Sequence, residues 1–229
     1  MITQIFTISI YLATLSSVVL LIFSFLYCYR KNNPAYLRIF PSYCVMSLIA
    51  EILNNYWLLE DYLAPSKKLS ILSNMYTCYE LIFFTYFLIL IIHSKLAKKI
   101  LVILDICFFL FCGWTFVTRG LYSGAGPIIL FECLILIIPC LVYFRELFTL
   151  QKHIDLSKEP SFWIVTAMLF YYFIFPPIVL FNGYFELHKL DAIALGIESL
   201  NNFSQIITDI LFIKAFTCRV GLFRNQPGL

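Results

Sequence analysis

Residues 5–31 read IFTISIYLATLSSVVLLIFSFLYCYRK, a run of 25 residues without a charged side chain that ends in two basic residues. An α-helix needs about 20 mostly apolar residues to cross the hydrocarbon core of a membrane. A secretory signal peptide would begin with basic residues and have a shorter apolar core. We therefore predict that residues 5–29 form a first membrane-spanning helix, retained in the mature protein.

The whole chain has the same apolar character. Its 229 residues are 62% hydrophobic and 13% charged, and the mean hydropathy is +0.89. Soluble domains have about 45–50% apolar and about 25% charged residues. We therefore predict an all-α polytopic membrane protein, a single seven-transmembrane-helix bundle. The predicted spans are residues 5–29, 39–59, 72–93, 100–117, 127–144, 162–181 and 192–212.

The basic residues indicate how such a bundle is oriented. Of the 16 Lys and Arg residues, 12 fall in the first, third and fifth connections and in the C-terminal tail. Short cytoplasmic segments are enriched in Lys and Arg. We therefore predict that the N-terminus lies outside and the C-terminus in the cytoplasm. The residues counted on the cytoplasmic side are Arg30, Lys31, Arg38, Lys95, Lys98, Lys99, Arg145, Lys152, Lys158, Lys214, Arg219 and Arg224.

Carboxyl side chains inside the predicted spans are the main functional signal. A charged group at the centre of a bilayer costs roughly 2.5–3.5 kcal/mol, so acids there mark functional sites by default. Glu51, Glu80, Glu132 and Glu198 are placed at mid-depth or in the outer half, without a deep Lys or Arg to pair with them. Asp105 and Asp209 are predicted nearer the cytoplasmic face, within reach of Lys99 and Lys214, as an inner exit.

Residues 198–210, ESLNNFSQIITDI, place five polar side chains on one face of a helix, because successive residues are about 100° apart. We predict that this stripe faces the bundle interior, opposite Glu51 and Glu80. The predicted ligand-binding residues are Glu51, Asn54, Asn55, Glu80, Glu132, Glu198, Asn201, Asn202 and Gln205.

Prolines provide a second signal. Pro176 and Pro177 remove two N–H donors from the sixth helix and free two carbonyl groups near mid-depth. Freed carbonyls inside a membrane must face protein or a wet cavity. We predict a hinge at these two prolines and at Pro139.

The sequence lacks the patterns of common enzymes and metal sites. There is no GxSxG, no HExxH and no Gly-rich phosphate loop, and the three His are at span ends or in connections. The eight Cys form no CxxC pair. We therefore predict no catalytic residue, metal or cofactor, we do not expect nucleic-acid binding, and we favour a non-enzyme without excluding an enzyme.

Two stretches carry a resemblance to other proteins. CYELIFFTYFLILIIHSKLAKKI (78–100) and PSFWIVTAMLFYYFIFPP (160–177) resemble stretches of stand-alone seven-helix membrane proteins of Bacteroidetes-type bacteria. The resemblance implies a location in the bacterial inner membrane and no particular chemistry.

Three functions remain open at this point. The first is a receptor-like sensor that binds a small ligand or ion, with cations favoured by the carboxyl groups, and signals through a separate membrane or cytoplasmic protein. The second is a small proton- or cation-coupled transporter, for which LYCYR (26–30) and LVYFR (141–145) indicate a 3+1+3 repeat of helices. The third is a structural subunit whose acids only hold helices together.

Overall fold

The structure, a computed structural model, describes residues 2–29, 33–60, 67–120, 126–149 and 155–218. Seven of the 12 basic residues from which the orientation is predicted are described: Arg38, Lys95, Lys98, Lys99, Arg145, Lys158 and Lys214. The other five lie outside the described residues: Arg30, Lys31, Lys152, Arg219 and Arg224. The described residues form seven α-helices, so the predicted all-α class is confirmed. These are α1 (Ile2–Cys28), α2 (Phe40–Glu60), α3 (Lys67–Ile91), α4 (Lys95–Arg119), α5 (Gly126–Thr149), α6 (Pro160–Leu187) and α7 (Asp191–Thr217).

Most helices are longer than the apolar runs that predict them, because their polar ends continue the same helix. The clearest case is α4, predicted as residues 100–117 and observed with 25 residues. Its first turn is capped by Ser94, whose Oγ accepts a 3.2 Å hydrogen bond from the Ala97 N–H. The helix ends at Arg119, and the next residue, Gly120, has a φ of 82°, a conformation that glycine adopts without strain.

Six of the helices in the described part of the chain are long and apolar enough to cross a membrane, which indicates a membrane protein. The exception is α7. It has 27 residues, long enough to span, but it contains the polar stripe of residues 198–210.

Consecutive helices pack side by side, and α7 closes the ring by packing against both α6 and α1. A contact between α3 and α5 leaves α4 at the periphery. Large apolar side chains of α4 are accordingly exposed, among them Trp114 and Val117 at 69% and 86% of their surface. Exposed side chains of this kind suit contact with lipid.

Small side chains on α1 let α7 approach closely. Ser9, Ala13 and Ser17 follow one another at intervals of four residues, so they lie on one face, and all three are buried. Small residues at this spacing are a common basis for helix packing inside membranes.

An aromatic cluster fills the end of the bundle at which α1, α3, α5 and α7 end, here called the basic end after the Lys and Arg residues near it. Phe40 is fully buried at its centre, with ring centroids 5.3 Å from Phe83, 5.5 Å from Phe87 and 5.6 Å from Phe216. The cluster consists of Phe40, Tyr43, Phe83, Phe84, Phe87, Phe212 and Phe216. Its rings close the interior of the bundle at the basic end.

A carboxyl group near the end of α5 holds the connection between α3 and α4. The backbone N–H groups of His93 and Ser94 donate hydrogen bonds of 2.8 and 2.9 Å to the two carboxyl oxygens of Glu146. These N–H groups precede α4 and make no helical bond of their own, so Glu146 supplies their acceptors.

Replacing Glu146 with alanine is expected to lower the free energy of unfolding by about 1–2 kcal/mol, because two backbone N–H groups lose their acceptors. Urea unfolding of the purified protein, followed by far-UV circular dichroism, measures the change. Asp155→Asn is the control, since it removes an exposed ion pair with Lys158 that contributes little. An equal loss in both variants would show that the Glu146 bonds contribute no more than a surface pair.

Candidate functional site

A cavity of about 210 Å³ lies within the bundle, lined by residues of α2, α3, α5, α6 and α7. Four carboxyl side chains line it: Glu51, Glu80, Glu132 and Asp209. Among the described residues, no Lys, Arg or His lines the cavity with them. The cavity wall is therefore acidic without an internal counter-charge.

Asp209, predicted as part of an inner exit, lies about two turns before the end of α7. Its Oδ2 accepts a hydrogen bond from the Ser16 hydroxyl, at the middle of α1. Lys214, the predicted neighbour of Asp209, instead has its Nζ 5.9 Å from the ring centroid of Trp163.

Glu51 is the centre of a hydrogen-bonded network, here called the α1–α7 network, that joins α1, α2 and α7. Thr14 donates a 3.0 Å bond to its Oε1, while Ser17 and Gln205 donate bonds of 2.6 and 3.0 Å to its Oε2. Three donors from two helices therefore fix this carboxyl group at the edge of the cavity.

Ser17 links the two carboxyl groups of this network. Its Oγ is 2.6 Å from Glu51 Oε2 and 3.3 Å from Asp209 Oδ2. A hydroxyl group has one hydrogen, so it donates to one of these oxygens at a time. Glu51 and Asp209 are thus connected through a single side chain of α1.

The other two acids, Glu80 on α3 and Glu132 on α5, form what is here called the α3–α5 pair. Glu80 is 8% exposed and accepts a 3.2 Å hydrogen bond from the Tyr43 hydroxyl. Glu132 is only 2% exposed, and its Oε1 has no hydrogen-bond partner among the described residues. The Tyr172 ring also lies beside Glu80. This side of the cavity therefore retains an unused buried acceptor.

Aromatic side chains make up much of the remaining wall. Helical periodicity puts Tyr76 on the same face of α3 as Glu80, but no sequence pattern assigns the other rings to a site. The adjacent Tyr171 and Tyr172, just before the prolines, were the available signal for a ring-lined wall. The aromatic residues that line the cavity include Tyr43, Tyr76, Phe84, Tyr171, Tyr172 and Phe175.

The predicted ligand-binding residues divide into two groups. Those that line the cavity are Glu51, Asn54, Glu80, Glu132, Asn201 and Gln205. The others contact neighbouring helices. Asn55 donates a 3.1 Å bond to Thr14, Asn202 donates a 2.9 Å bond to Ser9, and Glu198 accepts a 2.6 Å bond from Asn182 on α6. The stripe on α7 thus faces α1, α6 and the cavity at different heights.

Asp105, the other predicted member of an inner exit, lies apart from the cavity. It is on the peripheral helix α4, and its Oδ1 accepts a 3.0 Å hydrogen bond from Thr85 on α3. The residue therefore joins two neighbouring helices, and Lys99 is not its partner in the described contacts.

The prolines lie within continuous helices. α5 runs through Pro139, and α6 runs through Pro176 and Pro177 from residue 160 to residue 187. Pro176 and Pro177 border a shallow apolar groove on the surface of α6, together with Phe181 and Tyr184. The hinge remains a prediction, since a single conformation does not test movement.

The described residues contain no group of three or more His, Cys, Asp or Glu side chains that could hold a metal ion. A comparison with protein-family models, curated proteins and solved structures finds no match.

Proposed function

We propose that this chain is a receptor-like seven-helix protein of the bacterial inner membrane, with its N-terminus outside, that binds a small cation in the central cavity. The observation that carries the proposal is the set of four carboxyl groups around one cavity whose described lining includes no basic side chain. Such intramembrane acids face a cavity or a partner when they have a function.

The arrangement of the two ends supports a receptor. The aromatic cluster closes the interior at the basic end, where Phe40 and Phe87 are fully buried. Toward the opposite end the cavity is bordered by Asn54, Leu72 and Ser73. A ligand would therefore enter from outside and would not cross to the cytoplasm. The signal would pass to a separate protein through movement of the helices at the basic end.

A thermal-stability screen of the purified full-length protein tests cation binding. The panel contains metal cations and small organic cations, and Glu80→Gln is compared with the wild type. We expect a saturable increase in Tm for at least one cation, which Glu80→Gln abolishes. Asp105→Asn is the matched control, because this acid lies outside the cavity and should leave the response unchanged. If no cation shifts the wild type, the acids only hold helices together and the proposal fails.

A proton- or cation-coupled transporter is the second candidate, favoured by the link between Glu51, Ser17 and Asp209. A hydroxyl between two carboxyl groups is a suitable relay for a proton, and Gln205 continues the same polar path on α7. Flux measured in liposomes separates the two candidates. The receptor predicts no movement of the bound cation or of protons, whereas the transporter predicts a flux that Ser17→Ala reduces.

A further inference from the structure

We infer that the cation is an organic ammonium ion carrying at least one N–H group, which donates to Glu132 on α5, and not a metal ion or a quaternary ammonium ion. This inference rests on the proposed function and identifies the chemical class of the ligand.

Glu132 supplies the hydrogen-bond argument. The side chain is 2% exposed and lines the cavity, yet its Oε1 has no partner among the described residues. Buried polar atoms nearly always have a hydrogen-bond partner, because leaving one without a partner is unfavourable. The buried Oδ1 of Asn201, which also lines the cavity, is likewise without a partner in the described residues. The buried Tyr172 hydroxyl, a third cavity atom without a partner among the described residues, can donate or accept. The oxygens of Glu132 and Asn201 are acceptors, so the ligand should bring donors.

The rings supply the argument for an organic cation. Tyrosine and phenylalanine attract cations to the faces of their rings, most strongly where water is excluded. Tyr76, Tyr171 and Phe175 lie in the wall of the same cavity as Glu132. Aromatic surface also packs against the hydrocarbon part of a ligand, which a bare metal ion lacks.

The shape of the site argues against a metal ion. Four acids line the cavity, but no three of the described His, Cys, Asp or Glu residues come together as metal ligands. A cavity of about 210 Å³ is also much larger than one ion requires. A quaternary ammonium ion would fit the rings but has no N–H group to donate to Glu132.

Three probes that share one ring and one chain length test the inference on the full-length protein. They are 2-phenylethylammonium, its N,N,N-trimethyl derivative and the neutral 2-phenylethanol. The primary ammonium ion should raise the Tm saturably, the trimethyl derivative should need about 10-fold more compound, and the alcohol should have no effect. Glu132→Gln should weaken binding of the primary ammonium ion by about 10- to 100-fold. Glu146→Gln, on the same helix but outside the cavity, is the matched control and should bind like the wild type.

The outcomes separate this inference from the proposed function. If Mg²⁺, Ca²⁺ or the trimethyl derivative stabilises the protein best and Glu80→Gln abolishes the effect, the cation site stands and the N–H ligand is wrong. If the primary ammonium ion binds equally well to Glu132→Gln, the assignment to Glu132 is wrong. If no probe or metal ion binds, both proposals fail. Should Glu132→Gln not fold, the order of the three probes on the wild type still decides the class.

Discussion

Replacing Phe40 with alanine is expected to lower the free energy of unfolding by about 3–5 kcal/mol. Phe40 is fully buried, and its ring contacts Phe83, Phe87, Phe212 and Phe216 from two other helices. Removing it leaves a void the size of a ring at the point where α2, α3 and α7 meet. Lipid cannot fill a closed void, so the lost contacts are not replaced.

Urea unfolding in detergent micelles measures this loss for Phe40→Ala. Phe173→Ala on α6 is the matched control, because the Phe173 side chain is 70% exposed and would face lipid. We expect the control to change stability by less than about 1 kcal/mol. Equal losses in the two variants would mean that the aromatic cluster is not tightly packed, and the closure of the basic end would lose its support.

Replacing Ser17 with leucine should have the second-largest effect, about 2–5 kcal/mol, through two mechanisms. The added side chain does not fit between α1 and α7, where Ser17 is 4% exposed, and overpacking costs about 1–3 kcal/mol. The change also removes the bonds that Ser17 makes with Glu51 and Gln205, each worth about 0.6 kcal/mol on average in a membrane.

Ser17→Ala separates the two mechanisms, since it removes the hydroxyl group without adding bulk. It should lower the free energy of unfolding by about 1–2 kcal/mol, clearly less than leucine does. Thr3→Leu is the control for a leucine placed on the exposed face of α1. If Ser17→Leu is no worse than Ser17→Ala, the close approach of α1 and α7 is not what the small side chains provide.

The acids of the cavity could be predicted from sequence because a carboxyl group within an apolar span stands out. Glu51, Glu80 and Glu132 are recognisable for this reason, and all three line the cavity. The aromatic wall could not be predicted in the same way. With 24 Phe and 15 Tyr in the chain, rings occur in every span, and nothing in the pattern separates those of the wall from those exposed to lipid.

The hydrogen bonds that α1 makes with the acids of the cavity could not be predicted from sequence, for a different physical reason. Serine and threonine in a helix usually bond to their own backbone, as Ser9 does with the Phe6 carbonyl, so they are tolerated in any apolar span. The sequence of α1 alone therefore does not distinguish Ser16 and Ser17 as partners of α2 and α7. Asn55 and Asn202 show the same limit, since helical periodicity groups them with cavity residues whereas α1 provides their partners.

The hydrogen bonds made by Glu146 allow a movement of α5 near the cavity to be detected at an exposed residue, His93. Because Glu146 accepts hydrogen bonds from the backbone of His93 and Ser94, we expect the connection after α3 to move together with the end of α5. α5 also carries Glu132, about four turns away from Glu146 along the same helix. The His93 side chain is 85% exposed, and a probe attached there leaves the bonded backbone intact. A tilt of α5 that begins at the cavity would therefore displace a probe attached at His93 on the surface.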